Sequence, residues 1–167
     1  GVASKITSPI KIYFLGRAKG KYADYVMNKF NSISNDKLSV VFYKERVPQS
    51  TFSSVLKATD FLVLPLKMST RYTIYTERYG YTKISGGIND MIHYGKPSIL
   101  PAAYPLSSDL ESITAQYINE KEFSEIVLQW VNSKKFVDYQ SSVAESLKKF
   151  DRNQLKQKME HIFSAIN

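Results

Sequence analysis

Short apolar runs that alternate with longer amphipathic segments constrain the fold of this chain more than any other feature of its sequence. Five runs are almost uninterrupted by polar residues, at positions 10–15, 38–43, 61–64, 98–100 and 115–118. Near-continuous apolar runs of this length are typical of strands that are buried on both faces of a parallel sheet. We therefore expect these runs to form one open sheet that is covered on both sides.

Apolar residues recur at helical spacing between these runs and after the last of them. The spacing predicts helices around residues 22–33, 52–56, 88–92 and 123–131, and two consecutive helices between 136 and 166 that break near 151–153. Gly95 ends the third helix, while Asn119 and Glu122 form a capping-box-like start for the fourth. Alternating strands and helices imply right-handed βαβ units. The expected fold class is α/β: a Rossmann-like open parallel sheet with helices on both faces and a C-terminal helical tail.

Composition narrows the kinds of site that the chain can carry. The 167 residues include 23 Lys and Arg against 15 Asp and Glu, and they contain no cysteine. Disulfides, thiolate metal sites and cysteine nucleophiles are therefore excluded. The longest apolar run, at 61–66, is far shorter than the ~20 residues that a membrane-spanning helix needs. The formal net charge of +8 favours an anionic partner, such as nucleic acid, an acidic membrane or a phosphorylated small molecule.

The first glycine-containing segment with candidate binding groups follows the first predicted strand. Ligands of an open α/β sheet bind beyond the carboxyl ends of its strands. Gly16 and Gly20 flank Arg17 and Lys19 just before a helix, a pattern that suits phosphate binding. It matches neither the dinucleotide fingerprint GxGxxG nor a Walker A loop. An ordinary strand-to-helix turn with solvated charges explains the pattern at least as well.

The second such segment lies at the predicted start of the third helix, after a stretch at 65–85 that is expected to be irregular. It contains Lys83, Ser85, Gly86, Gly87, Asn89 and Asp90. An ammonium group, a hydroxyl and the free amides of a glycine pair can together hold a diphosphate. Asn89 and Asp90 are expected in the first helical turn. Asp90 can accept hydrogen bonds from a sugar hydroxyl, or it can simply complement the helix dipole.

The order of these motifs resembles the donor-binding C-terminal half of GT-B glycosyltransferases. That family carries a hydrophobic strand after an Ala-Asp or similar pair, then an irregular loop, a glycine-containing helix start and a Gly-Lys-Pro or Gly-Thr-Pro element. The corresponding residues here are Thr59-Asp60, the run 61–65, residues 85–87 and Gly95-Lys96-Pro97. The resemblance covers residues 10–131. It divides the chain into a disordered or cloning-derived lead at 1–9, a Rossmann-like nucleotide-sugar-binding domain at 10–134 and C-terminal helices at 135–167.

The resemblance implies transfer of a hexosyl group from a UDP- or GDP-sugar to an acceptor hydroxyl, in surface polysaccharide or glycan synthesis, without a cofactor or a metal. It places the donor diphosphate against Lys83, Ser85, Gly86 and Gly87, with Arg17 as a further phosphate ligand. It places the nucleotide base against backbone groups of Phe42, Tyr43 and Val47. Counting back from Gly95 puts Asp90 and Thr82 where retaining members carry glutamates, so these two and Asn89 are the sugar- and ribose-binding candidates. No residue is assigned as catalytic.

The remaining expectations concern partners and location. The expected acceptor is a glycan or a lipid-linked molecule that binds through a second, N-terminal half, and nucleic acid is not expected. The location is cytoplasmic, with peripheral contact at the inner face of the membrane through a basic tail cluster. This cluster consists of Lys148, Lys149, Arg152, Lys156 and Lys158, and the alternative is that it is a solvated helix face.

An alternative function is a non-catalytic Rossmann-like interaction domain. In that case the tyrosines of the long loop, at 72, 75, 79 and 81, contact a protein partner instead of stacking on a base or sugar. The two histidines, His93 and His161, are far apart in the sequence and are expected on separate helices. His93 follows Ile92 on a largely apolar predicted helix, so a structural role is favoured over a role as a general base.

Overall fold

Strands and helices alternate along most of the chain, as the sequence predicts. The computed structural model describes residues 2–166, and of residues 2, 72, 152, 154, 155, 158, 165 and 166 it describes the backbone alone. The strands are β1 Ile10–Arg17, β2 Leu38–Tyr43, β3 Leu62–Val63, β4 Ser69–Tyr72, β5 Tyr75–Arg78, β6 Ser98–Pro101 and β7 Thr114–Tyr117. The helices are α1 Lys21–Ile33, α2 Gln49–Ala58, α3 Gly86–Tyr94, α4 Ser108–Glu111, α5 Glu120–Ser133, α6 Phe136–Ser141, α7 Val143–Leu147 and α8 Arg152–Ile166. Short 3₁₀ turns form at Val2–Lys5 and Lys148–Phe150.

The mixed α/β class and the parallel pairing of the strands are confirmed. Each of the five predicted runs overlaps a strand that pairs in parallel with a neighbour. The strands nevertheless form two parallel sheets in the described chain, β1–β2 and β3–β6–β7, where one open sheet is predicted. β3 has only two residues, which leaves few backbone groups to hold a second ladder on its other edge.

The chain divides into two compact units. Unit 1 comprises Gly1–Thr59 and Ser124–Lys135, and unit 2 comprises Asp60–Phe123 and Phe136–Asn167. The division after Thr59 falls within the segment that the sequence predicts as one domain.

Unit 1 contains the sheet β1–β2. Ile10 aligns with Leu38, and the register continues without a break as far as Phe14 and Phe42. The Phe14 and Phe42 rings stack at 4.6 Å, and Phe30 of α1 meets both rings edge-on. Such aromatic contacts fix α1 against the sheet.

The N-terminal segment is attached to α5 within unit 1. The Thr7 amide donates a hydrogen bond to Asn132 Oδ1 at 2.8 Å, and Asn132 Nδ2 donates to the Lys5 carbonyl at 2.9 Å. Because one side chain satisfies two backbone groups, the segment has a defined conformation. Two residues of the lead predicted at 1–9, Lys5 and Thr7, thus have a hydrogen-bond partner in α5.

Unit 2 is built around β6, which pairs with β3 on one side and with β7 on the other. Ile99 and Leu100 of β6 are fully buried, as is Met91 of α3. Gly95 ends α3 in the left-handed conformation, with φ of 59°. Pro97 follows, and its carbonyl accepts a hydrogen bond from the Leu62 amide of β3. The predicted end of this helix at Gly95 is confirmed.

The stretch at 65–85 contains a hairpin that the sequence does not predict. Strands β4 and β5 pair antiparallel, with Ser69 opposite Arg78. Thr73 and Ile74 form the turn, and Thr73 adopts a positive φ of 53°. Hairpin turns usually carry Gly, Asn or Asp at such positions, and none of these three residue types occurs at 73 or 74. The expectation of an irregular loop is therefore wrong for residues 69–78.

Helices occupy the chain from residue 136 onward, in three α segments and a 3₁₀ turn. The break that the sequence predicts near 151–153 lies at Asp151, between the 3₁₀ turn Lys148–Phe150 and α8. Within residues 2–166, no helix combines the length and the apolar character required to cross a bilayer.

Candidate functional site

The residues predicted to bind a donor lie in both compact units. Unit 1 holds Arg17, Phe42, Tyr43 and Val47, and unit 2 holds Thr82, Lys83, Ser85, Gly86, Gly87, Asn89 and Asp90. Each group is described within its own unit.

The N-terminus of α3 is the centre of the unit 2 group. Ser85 is the N-cap and is almost fully buried, and its carbonyl accepts a hydrogen bond from the Ile88 amide at 3.1 Å. In the described chain, the Ser85 hydroxyl makes no capping bond to the helix. The first amides of any helix lack intrahelical acceptors and carry the positive end of the helix dipole. At α3 these amides belong to Gly86 and Gly87.

The two glycines have different surroundings. A Cβ atom at position 87 would lie 2.6 Å from Leu64 Cδ2, whereas a Cβ atom at 86 would meet no atom within 4 Å. Close packing against Leu64 therefore accounts for Gly87, because a Cβ atom there would force the end of the leucine side chain to move. The backbone at Gly86 is open to an approaching group.

Lys83 has an acidic partner. Its Nζ atom lies 2.7 Å from Glu77 Oε2 and 5.4 Å from the centre of the Tyr79 ring. About a third of each charged side chain is exposed. The ammonium is thus held in place, but an incoming phosphate would compete with the Glu77 carboxylate for it. The sequence did not reveal this pair, because Glu77 reaches the lysine only through β5, in a hairpin without a recognisable turn signal.

Thr82 acts within the turn that follows β5. Its Oγ1 atom accepts a hydrogen bond from the Arg78 amide at 2.8 Å, and the Thr82 amide donates to the Arg78 carbonyl at 2.9 Å. These bonds explain Thr82 as a turn-closing residue. The Arg78 guanidinium lies over the exposed Tyr81 ring, 4.6 Å from its centre.

Asn89 ends the first turn of α3, and Asp90 begins the second turn. Asn89 is exposed, and Asp90 is the fifth helical residue, one position past the first turn where it is predicted. Burial raises the pKa of the Asp90 carboxyl above its usual value of 3.8, and the nearby His93 opposes this shift to a smaller extent. Partial desolvation of a carboxyl near a helix start is common at ligand-binding sites, though structural carboxyls show it too.

In unit 1, the structure brings Arg17 and Tyr43 together. The two residues align in the β1–β2 register, and the Tyr43 carbonyl accepts a hydrogen bond from the Ala18 amide at 2.7 Å. The Arg17 guanidinium lies 3.4 Å from the Lys44 carbonyl and 3.4 Å from Glu45 Oε2. The carbonyl of Tyr43, which is predicted to contact a base, is therefore already hydrogen-bonded.

The other unit 1 candidates have structural explanations. The Phe42 ring belongs to the aromatic cluster with Phe14 and Phe30, and Val47 is partly buried just before α2. Gly20 has a φ of 87°, which L-residues rarely adopt. The Gly16–Gly20 segment thus forms the turn from the end of β1 into α1.

Within residues 2–166, no three His, Asp or Glu side chains come close enough together to hold a metal ion. Comparison with protein-family models, with curated proteins and with solved structures returned no match.

Proposed function

We propose that this chain is the nucleotide-sugar-binding half of a glycosyltransferase with the GT-B fold. In this proposal, a hexosyl group passes from a UDP- or GDP-sugar to an acceptor hydroxyl that a second half of the enzyme presents. The fold that we propose for this chain, the donor-binding half, is Rossmann-like. The enzyme acts in surface polysaccharide or glycan synthesis.

The observation that carries the proposal is the position of the α3 N-terminus. Leu64 directly follows β3, and its contact with Gly87 sets the first turn of α3 just beyond the carboxyl end of that strand. Ligands of parallel α/β sheets bind at this end of the strands. Gly86, whose backbone is open, begins α3, and Lys83 precedes it by three residues. Together they suit a diphosphate.

The chemistry of the proposal follows from the charges at this site. When the glycosidic bond breaks, negative charge grows on the departing diphosphate. Amides at the start of α3 and the Lys83 ammonium would stabilise that charge, once phosphate oxygens replace Glu77 as partners of the lysine. Ser85 would contribute its hydroxyl, and Asp90 would accept a hydrogen bond from a sugar or ribose hydroxyl. Arg17 and the backbone at 42–47 remain the candidates for further phosphate and base contacts.

Calorimetric titration of UDP, GDP and their hexoses tests this proposal, with this chain and with a longer form that includes the second half. We expect one nucleotide to bind, and we expect Lys83→Met to weaken it by about 10- to 100-fold, the effect of one hydrogen bond from a charged group. Lys67→Met is the matched control, since Lys67 is an exposed lysine of the same unit. Absence of binding at millimolar concentration in the two-half form would contradict the proposal, as would equal weakening by the control.

A non-catalytic interaction domain is the second candidate. Two observations favour it: Glu77 already neutralises Lys83, and large apolar side chains around the hairpin are exposed to solvent. These are Ile74, Tyr75, Tyr81 and Ile84, which are 61–75% exposed. A protein partner could cover this surface. Sugar release from a donor by the two-half form, and its loss in the Lys83→Met variant, would exclude this candidate.

A further inference from the structure

The net positive charge of the chain is confined to one compact unit. Unit 1 contains twelve Lys and Arg against four Asp and Glu, a net charge of +8. Unit 2 contains eleven of each, a net charge of zero. All of the excess that the sequence shows is therefore carried by unit 1, and a partner attracted by charge would meet that unit first.

The basic tail cluster does not account for the excess. Lys148 and Lys149 form ion pairs with Glu145 and Asp109 respectively. Lys156 lies 3.7 Å from Glu160. The tail belongs to the unit whose net charge is zero. The side chains of Arg152 and Lys158 lie outside the described part of the chain, and membrane contact through the tail stays a prediction.

In unit 1, cations gather at the carboxyl edge of the β1–β2 sheet. We call this surface the basic edge; it comprises Arg17, Lys19, Lys21, Lys44 and Arg46. All five side chains are exposed. The contact of the Arg17 guanidinium with the Lys44 carbonyl shows that the segments after β1 and β2 are adjacent. Among residues 2–166, Arg17 is the one member with a carboxylate partner, Glu45.

Two exposed aromatic side chains adjoin the basic edge. Tyr22 and Tyr25, in the first turns of α1, are 78% and 58% exposed, and their ring centres are 6.4 Å apart. The Lys29 ammonium lies over the Tyr25 ring. Tyrosine rings with free edges and hydroxyl groups are favoured where lipid headgroups meet acyl chains.

We propose that the basic edge of unit 1 docks on a membrane surface that contains anionic lipids. Long, exposed lysine and arginine side chains can follow phosphates that move within a fluid headgroup layer. Single-stranded nucleic acid instead requires rings on which bases can stack. The sheet rings Phe14 and Phe42 stack on each other, and the Lys29 ammonium lies over the Tyr25 ring, so these three rings are already engaged. The proposal goes beyond donor binding and needs no nucleotide.

Flotation with lipid vesicles tests this inference. Vesicles of phosphatidylcholine alone are compared with vesicles that also contain phosphatidylglycerol, at low and at high salt. We expect the full chain to bind the anionic vesicles only, and to dissociate as salt screens the charges. Each basic residue near such a surface contributes about a fivefold change in partitioning, so the triple variant Lys19→Gln, Lys21→Gln and Arg46→Gln should bind about a hundredfold more weakly.

A matched variant separates the basic edge from net charge. Lys67→Gln, Lys121→Gln and Lys156→Gln remove three charges from exposed residues of unit 2, and this variant should bind as the parent does. Equal losses in the two variants would overturn the proposal, as would equal binding to neutral vesicles or no binding to anionic ones. Displacement of the chain from the vesicles by poly(U) would assign the basic edge to nucleic acid instead. The measurements leave donor binding untouched, so failure here is distinct from failure of the glycosyltransferase proposal.

Discussion

At the scale of single residues, we expect alanine substitutions at the two adjacent glycines of α3 to differ in their effect on stability. We expect Gly87→Ala to lower the free energy of unfolding by about 1–3 kcal/mol, the usual cost of overpacking, because its Cβ would meet Leu64 at 2.6 Å. Gly86→Ala enters open space and should leave stability unchanged or raise it by up to about 1 kcal/mol, since alanine restricts the unfolded chain. Urea denaturation followed by circular dichroism measures both.

Leu64 provides the control for this pair. If the overlap with Leu64 causes the loss, combining Gly87→Ala with Leu64→Ala must cost less than the two single changes added together. Additive losses, or equal stability of the two glycine variants, would show that Gly87 is not fixed by packing.

The burial of Asp90 predicts that the stability of the folded chain depends on pH. Its pKa is raised in the folded chain by burial, so the folded state binds its proton more tightly than the unfolded state. The stability that this proton supplies is complete below pH 3.8 and is lost as the pH rises through the higher folded pKa. We therefore expect Asp90→Asn to increase stability at neutral pH and to flatten the decline across that window.

Unfolding by urea at a series of pH values measures the effect of Asp90→Asn. Glu125→Gln, at an exposed position, is the comparison variant. If Asp90→Asn lowers stability at neutral pH instead, the carboxylate makes favourable contacts that outweigh its desolvation.

At the scale of elements, the end of α3 depends on one backbone conformation. Gly95 has φ of 59°, and a Cβ atom there would also lie 3.2 Å from Val143 Cγ1. Gly95→Ala should cost about 1–2 kcal/mol, the penalty of the left-handed region for an L-residue. Gly95→Asn should cost less, because asparagine tolerates that region. Thermal unfolding of the two variants separates the effects, and equal losses would assign the cost to Val143 rather than to the backbone.

Elements were predictable where a local signal specifies them. The capping-box-like start of α5 is present as expected: the Glu122 amide donates to Asn119 Oδ1 at 2.9 Å. The Glu122 carboxylate accepts from the Ile118 amide, one residue before the N-cap. The hairpin β4–β5 lacked such a signal, since Thr73 adopts a positive φ without being Gly or Asn. Its strands are short and polar, so cross-strand pairing, which no local pattern encodes, decides the fold there.

At the scale of the whole molecule, the candidate site was predictable only in part. The helix start at Ser85 and its glycine pair followed from residue types in order along the chain. The Glu77–Lys83 ion pair did not, because it depends on how β5 is placed against the turn that follows it. The division of charge between the units was equally hidden, since their boundaries follow from contacts between residues distant in sequence.

The same division of charge predicts how salt acts on the folded chain. Like charges in unit 1, with a net charge of +8, repel one another in the compact state, whereas unit 2 is neutral. Potassium chloride screens that repulsion beyond ~10 Å at 0.1 M. We therefore expect amide hydrogen exchange to slow with added salt in peptides from β1 and β2, and to change little in peptides from β6 and β7.

The control is the variant Lys19→Gln, Lys21→Gln and Arg46→Gln, in which the response of unit 1 should shrink because the repulsion is already reduced. Equal slowing in both units would mean that salt acts through general solvent effects, and not through the charge that unit 1 carries.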